Sequence, residues 1–220
     1  VISVITPVWN QQDITSQFLY HHWRLYRGRT GFELVIINNG STDGTKHILD
    51  MYQHNFTKDR MQVITNEVNQ GFSVACNQGA KAARGDVLVF LNNDVLLMGD
   101  YLTMAENFIG PKGLVGAELL THDTGWNKFG DVIIPYIPGW CVAVQKASLE
   151  ALGGFDERYT PADYEDLDLS YNAKQQGYDL VSLPLPLRHL SGMTGGQLGD
   201  RRAITEANRI KFAEKWGLSL

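Results

Sequence analysis

Through the first half of the chain, short apolar runs alternate with stretches of helical spacing, and few folds accept that pattern. Residues 1–6, 32–37, 61–65 and 86–91 are short runs rich in Val, Ile and Leu. Residues 11–26, 45–52 and 71–83, between them, carry apolar side chains at helical intervals. Strands that are apolar almost throughout are buried on both faces, the condition of a parallel sheet covered by helices on each side. The first strand is expected to stop at Pro7, and the first helix to start near Asp13 or Thr15. The expected fold class is α/β, Rossmann-like, with a mainly parallel central sheet flanked by helices.

The second half is more mixed. Helical spacing covers 101–109, 146–152, 163–176 and 200–216, and strand patterns cover 114–120, 132–134, 141–144 and 179–183. A polar loop at 121–130 holds Trp126, and 184–199 is rich in Pro and Gly, as a movable lid would be. No internal repeat is present, so a single domain is expected over residues 1–220.

Net charge is −5, which argues against broad electrostatic binding of nucleic acid. A phosphate ligand would have to be held locally, by a cation, a helix N-terminus or a few arginines. Two cysteines, Cys76 and Cys141, are too few for a disulfide framework and read as buried thiols. No apolar run has the length of a membrane span, and the chain opens on a strand pattern without a leader. That is the expectation for a cytosolic protein or for a domain cut from a longer chain. The tripeptides Asn39-Gly40-Ser41 and Asn55-Phe56-Thr57 match a glycosylation acceptor, a pattern short enough to arise by chance.

In a parallel α/β sheet, ligands bind beyond the carboxyl ends of the strands. Polar clusters fall at those ends: Pro7-Val8-Trp9-Asn10, Asn38-Asn39-Gly40-Ser41, residues 66–69, and Asn92-Asn93-Asp94. Asp94 at a strand end is either a cap on the next helix or an oxygen ligand for a hard cation such as Mg2+ or Mn2+. Asp163, Glu165, Asp166 and Asp168 crowd four carboxylates into six residues. A helix N-terminus there stabilises the first of them by about 0.3–1 kcal/mol each. Either the run is a solvated helix start, or one or two carboxylates face a cleft and serve as general base. His189 is a structural histidine or a metal ligand. Gly71 starts a helix whose backbone N–H groups face an anion, or simply lets the helix pack.

Together these segments resemble glycosyltransferase family 2, the inverting group with a GT-A fold, and most closely its rhamnosyltransferase-like branch. The resemblance rests on Thr6-Pro7-Val8-Trp9-Asn10, residues 36–45, residues 69–77 and Phe90-Leu91-Asn92-Asn93-Asp94. It continues through Gly153-Gly154-Phe155-Asp156-Glu157, Tyr164-Glu165-Asp166-Leu167-Asp168-Leu169, and His189 with Gly192, all in the family's order. It implies that residues 1–98 form a nucleotide-binding half and 99–220 an acceptor-binding half. Thr6, Pro7, Val8 and Asn38 would hold base and ribose, and Gly71 and Asn77 would lie near the donor. Asn92 and Asn93 would touch the donor. Asp94 would bind the Mn2+ or Mg2+ that bridges the phosphates, with His189 adding a metal contact. Asp166 would be the general base, Glu165 the second candidate, and Gly139 with Trp140 would line the acceptor pocket.

The implied partners are a UDP-, dTDP- or GDP-sugar donor and a glycan or other hydroxyl acceptor, with no nucleic acid. A cytoplasmic location, including the cytoplasmic face of a membrane reached through the acceptor, follows from the same resemblance. Two positions depart from the family: Asn38 stands where Asp is usual, and Asn92 replaces the first acid of the metal triplet, a change the branch tolerates. Two rivals remain. A non-catalytic nucleotide-sugar or glycan-binding module on the same fold would need neither Glu165-Asp166 nor His189. A nucleotidyltransferase would want a glycine-rich, basic phosphate loop after the first strand, where this chain has Pro7-Val8-Trp9-Asn10.

Overall fold

The computed structural model describes residues 1–56, 59–190 and 199–220. The first half alternates as its sequence requires: β1 (Ile2–Val8), α1 (Gln12–Tyr26), β2 (Phe32–Asn39), α2 (Thr45–Phe56), β3 (Met61–Asn66), α3 (Phe72–Ala82) and β4 (Val87–Leu91). The second half adds β5 (Val95–Leu97), α4 (Tyr101–Phe108), β6 (Gly113–Gly116), β7 (Lys128–Phe129), β8 (Val132–Ile133) and β9 (Cys141–Gln145). It closes with α5 (Lys146–Leu152), a 3-10 turn (Glu157–Tyr159), α6 (Glu165–Gln175), β10 (Asp179–Ser182), β11 (Leu187–His189) and α7 (Arg201–Trp216).

Seven strands form one sheet in the order β10-β6-β9-β4-β1-β2-β3. Every pairing is parallel except those of β9, which runs antiparallel to both β4 and β6. Because β9 is reversed, its first residues lie at the edge where the parallel strands end. Side chains alternate between two cores, as the period of a strand demands. Val4, Leu34, Ile36 and Val89 pack with Phe18, Leu49 and Tyr101 from α1, α2 and α4. Ile5, Val35, Ile37 and Phe90 pack with Cys76, Leu149 and Leu169 from α3, α5 and α6. Burial holds both free thiols well above the usual thiol range, Cys141 at about 12.

Strand β1 does not stop at Pro7 but continues through it, pairing Pro7 with Ile37. Pairing with β4 has already ended at Ile5↔Phe90, so the proline sits where β1 has a single neighbour and costs little ladder. Helix α1 begins at Gln12 with Asp13 in its first turn, as the spacing requires; Gln11 is the N-cap residue, in left-handed conformation, and Thr15 is fully buried. Helix α6 starts at Glu165 rather than Asp163, because Asp163 and Tyr164 hold φ of 71° and 79°. Three short strands carried no periodicity long enough to read from the sequence: β5, β7 and β11. Residues 191–198, the Gly-rich part of the expected lid with Gly192, lie outside the described residues, as does Thr57. No helix among the described residues is long and apolar enough to cross a membrane.

Candidate active site

A cleft of about 840 Å³ opens at the carboxyl edge of the sheet. The first half contributes Pro7, Val8 and Trp9 after β1, Asn39 from β2, Asn69, and Asn92, Asn93 and Asp94 after β4. The second half contributes Trp126, Gly139, Trp140, Glu165, Asp166, His189 and Arg202. Ten of the sequence-predicted residues therefore meet in one place: Pro7, Val8, Asn92, Asn93, Asp94, Gly139, Trp140, Glu165, Asp166 and His189.

Asp94 caps no helix. It leads into β5, and helix α4 takes its cap from Asp100, which accepts from the Thr103 N–H. The antiparallel pair β5–β11 sets His189 opposite Val95, and the Leu190 N–H donates to the Asp94 carbonyl at 2.9 Å. This brings His189 Nε2 to 3.1 Å from Asp94 Oδ1. The imidazole stacks on Trp140 at 5.0 Å between centroids and 10° between planes, which fixes its orientation. Asp94 is 3% exposed, Asn93 donates to Thr15 Oγ1 at 3.0 Å, and the Asn92 N–H donates to the Trp140 carbonyl at 3.0 Å. The triplet is thus held from both sides, and Asn93 is turned toward α1.

Among the described residues no group of three or more His, Cys, Asp and Glu side chains forms a protein cage for a metal. Asp94 and His189 nonetheless fit a divalent ion of the Mg2+ or Mn2+ kind. Such an ion is commonly held by one or two carboxylates and completed by phosphate oxygens and water. Asp94 supplies one carboxylate, and the His189 imidazole beside it is available as a second ligand.

The four carboxylates of the acidic run are sorted by their partners. Asp163 accepts from Arg201 at 2.7 and 3.2 Å and from Thr205 at 2.6 Å. Asp168 accepts from Tyr159, Lys215 and Trp216 at 3.0, 2.7 and 2.8 Å. Both are structural and tie α7 to the rest. Asp163, Glu165 and Asp166 all line the cleft, and the Asp163 carboxylate is taken up by its ion pair with Arg201. Asp166 takes the Gly139 and Leu167 N–H groups, each at 2.8 Å, which aim its carboxylate. Glu165 is buried, and its Oε2 has no hydrogen-bond partner. Desolvation raises both groups above the usual carboxylate range, Glu165 far more, with the Asp166 charge adding to the effect.

Four predicted residues stand apart from the cleft lining. Thr6 is fully buried in β1. Asn38 is buried and accepts from the Ser41 N–H at 3.2 Å, shaping the turn after β2. Asn77 is not free for a donor. Its amide is spent on the Phe155 N–H and carbonyl and on Glu157, at 3.0, 2.8 and 2.9 Å. The Gly71 helix start is covered rather than open to an anion. The Phe72 N–H donates to the Pro161 carbonyl at 2.9 Å, and a Cβ on Gly71 would lie 2.9 Å from Thr160 Cγ2. Glycine is required there for that close approach and for a φ of 89°. The cleft residues that motif reading missed are Trp126, Arg201 and Arg202. An Asp200 cap followed by paired arginines was the available signal for the last two.

With this geometry in place, the chain can be set beside known proteins. The family model described as Glycosyl transferase family 2 matches residues 3–147, from β1 into α5. The chain belongs to that family. A putative teichuronic acid biosynthesis glycosyltransferase, TuaG of Bacillus subtilis, is 34% identical over 134 residues, covering 59% of this chain and 52% of TuaG. The mannosyltransferase PcManGT of Pyrobaculum calidifontis, solved with GDP-Man and Mn2+, superposes with a TM-score of 0.68 at 20% identity, over 83% of this chain and 54% of that one. TarS 1–349 of S. aureus, solved with UDP, gives 0.64 at 21% identity, over 83% and 57%. The fold of this family 2 chain is therefore GT-A, and the chain spans about half the length of the relatives it matches. The matched family region includes Asp94 and ends before Glu165, Asp166 and His189, and the structure places the two groups in one cleft.

Proposed function

We propose that this domain is an inverting, metal-dependent glycosyltransferase, moving a sugar from a nucleotide-diphosphate donor to a hydroxyl acceptor in glycan or polysaccharide synthesis. One observation carries the reading: the Asp94–His189 pair and the Glu165–Asp166 pair, far apart in sequence, line the same cleft. Family membership supports the reaction class, and the Mn2+ and GDP-Man in the Pyrobaculum structure support the donor and ion class.

In this reading the nucleotide is held by Pro7, Val8 and Trp9, and Asn39 and Asn69 line the same cleft. Asp94 and His189 are the residues that would hold Mn2+ or Mg2+. When bound, such an ion neutralises the charge growing on the departing diphosphate. Arg202, exposed and lining the same cleft, is a further positive charge available to the diphosphate. The acceptor hydroxyl attacks the anomeric carbon from the face opposite the diphosphate. The carbon–oxygen bond to phosphate breaks with its electron pair, and the acceptor proton passes to Asp166. Two backbone N–H groups hold Asp166 in place, and partial desolvation makes it a better base than an exposed aspartate.

Asp166→Asn keeps the shape and one of the two backbone hydrogen bonds but cannot take the proton. Transfer should fall by about 10²–10⁴-fold, while donor binding, read by thermal shift with Mn2+, stays within about twofold. Wild-type turnover in this variant would remove Asp166 from the role. A non-catalytic module would show donor binding in both proteins and transfer in neither.

A further inference from the structure

The polar loop between β6 and β9 presents Trp126 at the cleft, 46% exposed. The other four tryptophans, Trp9, Trp23, Trp140 and Trp216, are all less exposed. Its indole therefore has surface free within the cleft for a ligand to cover. The exposure does not come from a loose loop. Asn127, fully buried, accepts from the Thr124 N–H and hydroxyl at 2.9 Å and donates to the His122 and Ile134 carbonyls at 3.0 and 2.9 Å. The Trp126 carbonyl accepts from the Tyr164 hydroxyl at 2.7 Å. Tyr164 is the residue before Glu165, so a single hydrogen bond ties the loop to the start of the acidic pair.

We infer that Trp126 is a stacking platform for a pyranose ring of the acceptor, and that its tie to Tyr164 sets the distance from that ring to the proton-accepting carboxylate. The loop arises from the second half, away from the β1 and β2 ends proposed for the nucleotide. An acceptor that gives its proton to Asp166 must lie against that carboxylate, and the Trp126 loop is tied to the residue two positions before it. A pyranose offers an apolar face of axial C–H groups that matches an indole, whereas an acyclic alditol phosphate has no rigid face to stack. The platform rests on the transfer reading for its purpose, but its binding does not require turnover.

The test uses saturation-transfer NMR on the whole chain with methyl hexopyranosides and, separately, ribitol 5-phosphate as probes. The wild type should bind at least one pyranoside through its ring C–H face. Trp126→Ala should weaken that binding about 3- to 10-fold, and Trp126→Phe should restore most of it. The thermal shift given by UDP or GDP with Mn2+ should be the same in all three proteins, which also confirms folding. Pyranoside binding unaffected by Trp126→Ala, absent from the wild type, or weaker than that of ribitol 5-phosphate would overturn the platform. Trp126-dependent pyranoside binding without transfer would instead count against the catalytic reading alone.

Discussion

Asp163 and Tyr164 hold left-handed backbone without being glycine, a conformation that costs of order 1 kcal/mol or more apiece. The surrounding residues over-determine it. Arg201 and Thr205 hold the Asp163 side chain, and Asn208 donates to the Ala162 and Asp163 carbonyls at 2.8 and 3.0 Å. The turn delivers Glu165 and Asp166 to the cleft, and Glu165 arrives without a partner for Oε2. A carboxyl whose folded pKa is raised favours folding fully below its unfolded value near 4.5 and loses that contribution as pH rises toward the folded pKa. Glu165→Gln should therefore stabilise the protein at pH 7.5, raising Tm by about 2–4 °C per kcal/mol gained, with the gain shrinking toward pH 4. Thermal melts across pH measure this; equal melting at pH 7.5 would mean Glu165 is ionised there without cost. This sorting of four acids was not legible in the sequence. Their proximity was plain, but Arg201, Thr205, Lys215 and Trp216 lie some forty residues downstream, and only the docking of α7 brings them back.

At the scale of elements, the helices and long strands were legible because period and burial agree. The short β5 and β11 were not, since three residues carry no period, and yet they place His189 beside Asp94. The sequence leaves the helix start at Gly71 open to an anion or to close packing, because its N–H groups have no partner within the helix. The segment carrying Pro161, some ninety residues later, occupies that end instead. Helix α3 shows the opposite case, where small residues in the sequence meant close packing. A Cβ at Gly79 would lie 2.4 Å from Ile5 Cγ2 and 2.8 Å from Ile37 Cδ1, both fully buried in central strands. Gly79→Ala should destabilise the domain by about 1–3 kcal/mol despite the better helix propensity of alanine. Urea unfolding checks this, and a stabilised variant would mean that α3 can lift from the sheet.

At the scale of the whole molecule, the reversed strand β9 and the return of β11 fold the second half of the chain over the strand ends of the first. Gly139 and Trp140 precede β9, so its reversal alone brings them to the edge where β1 and β4 finish. Trp140 then serves both halves: its carbonyl holds Asn92 and its ring holds His189. On the proposed function, this convergence builds one donor site completed by a divalent ion. Calorimetric titration of a nucleotide-diphosphate sugar, with Mn2+ and with chelator, into the wild type and Asp94→Ala tests it most directly. Mn2+ should tighten donor binding in the wild type by tenfold or more, about 1.4 kcal/mol, and Asp94→Ala should abolish this gain while leaving metal-free binding unchanged. Donor binding that ignores Mn2+, or a full Mn2+ gain in Asp94→Ala, would contradict it.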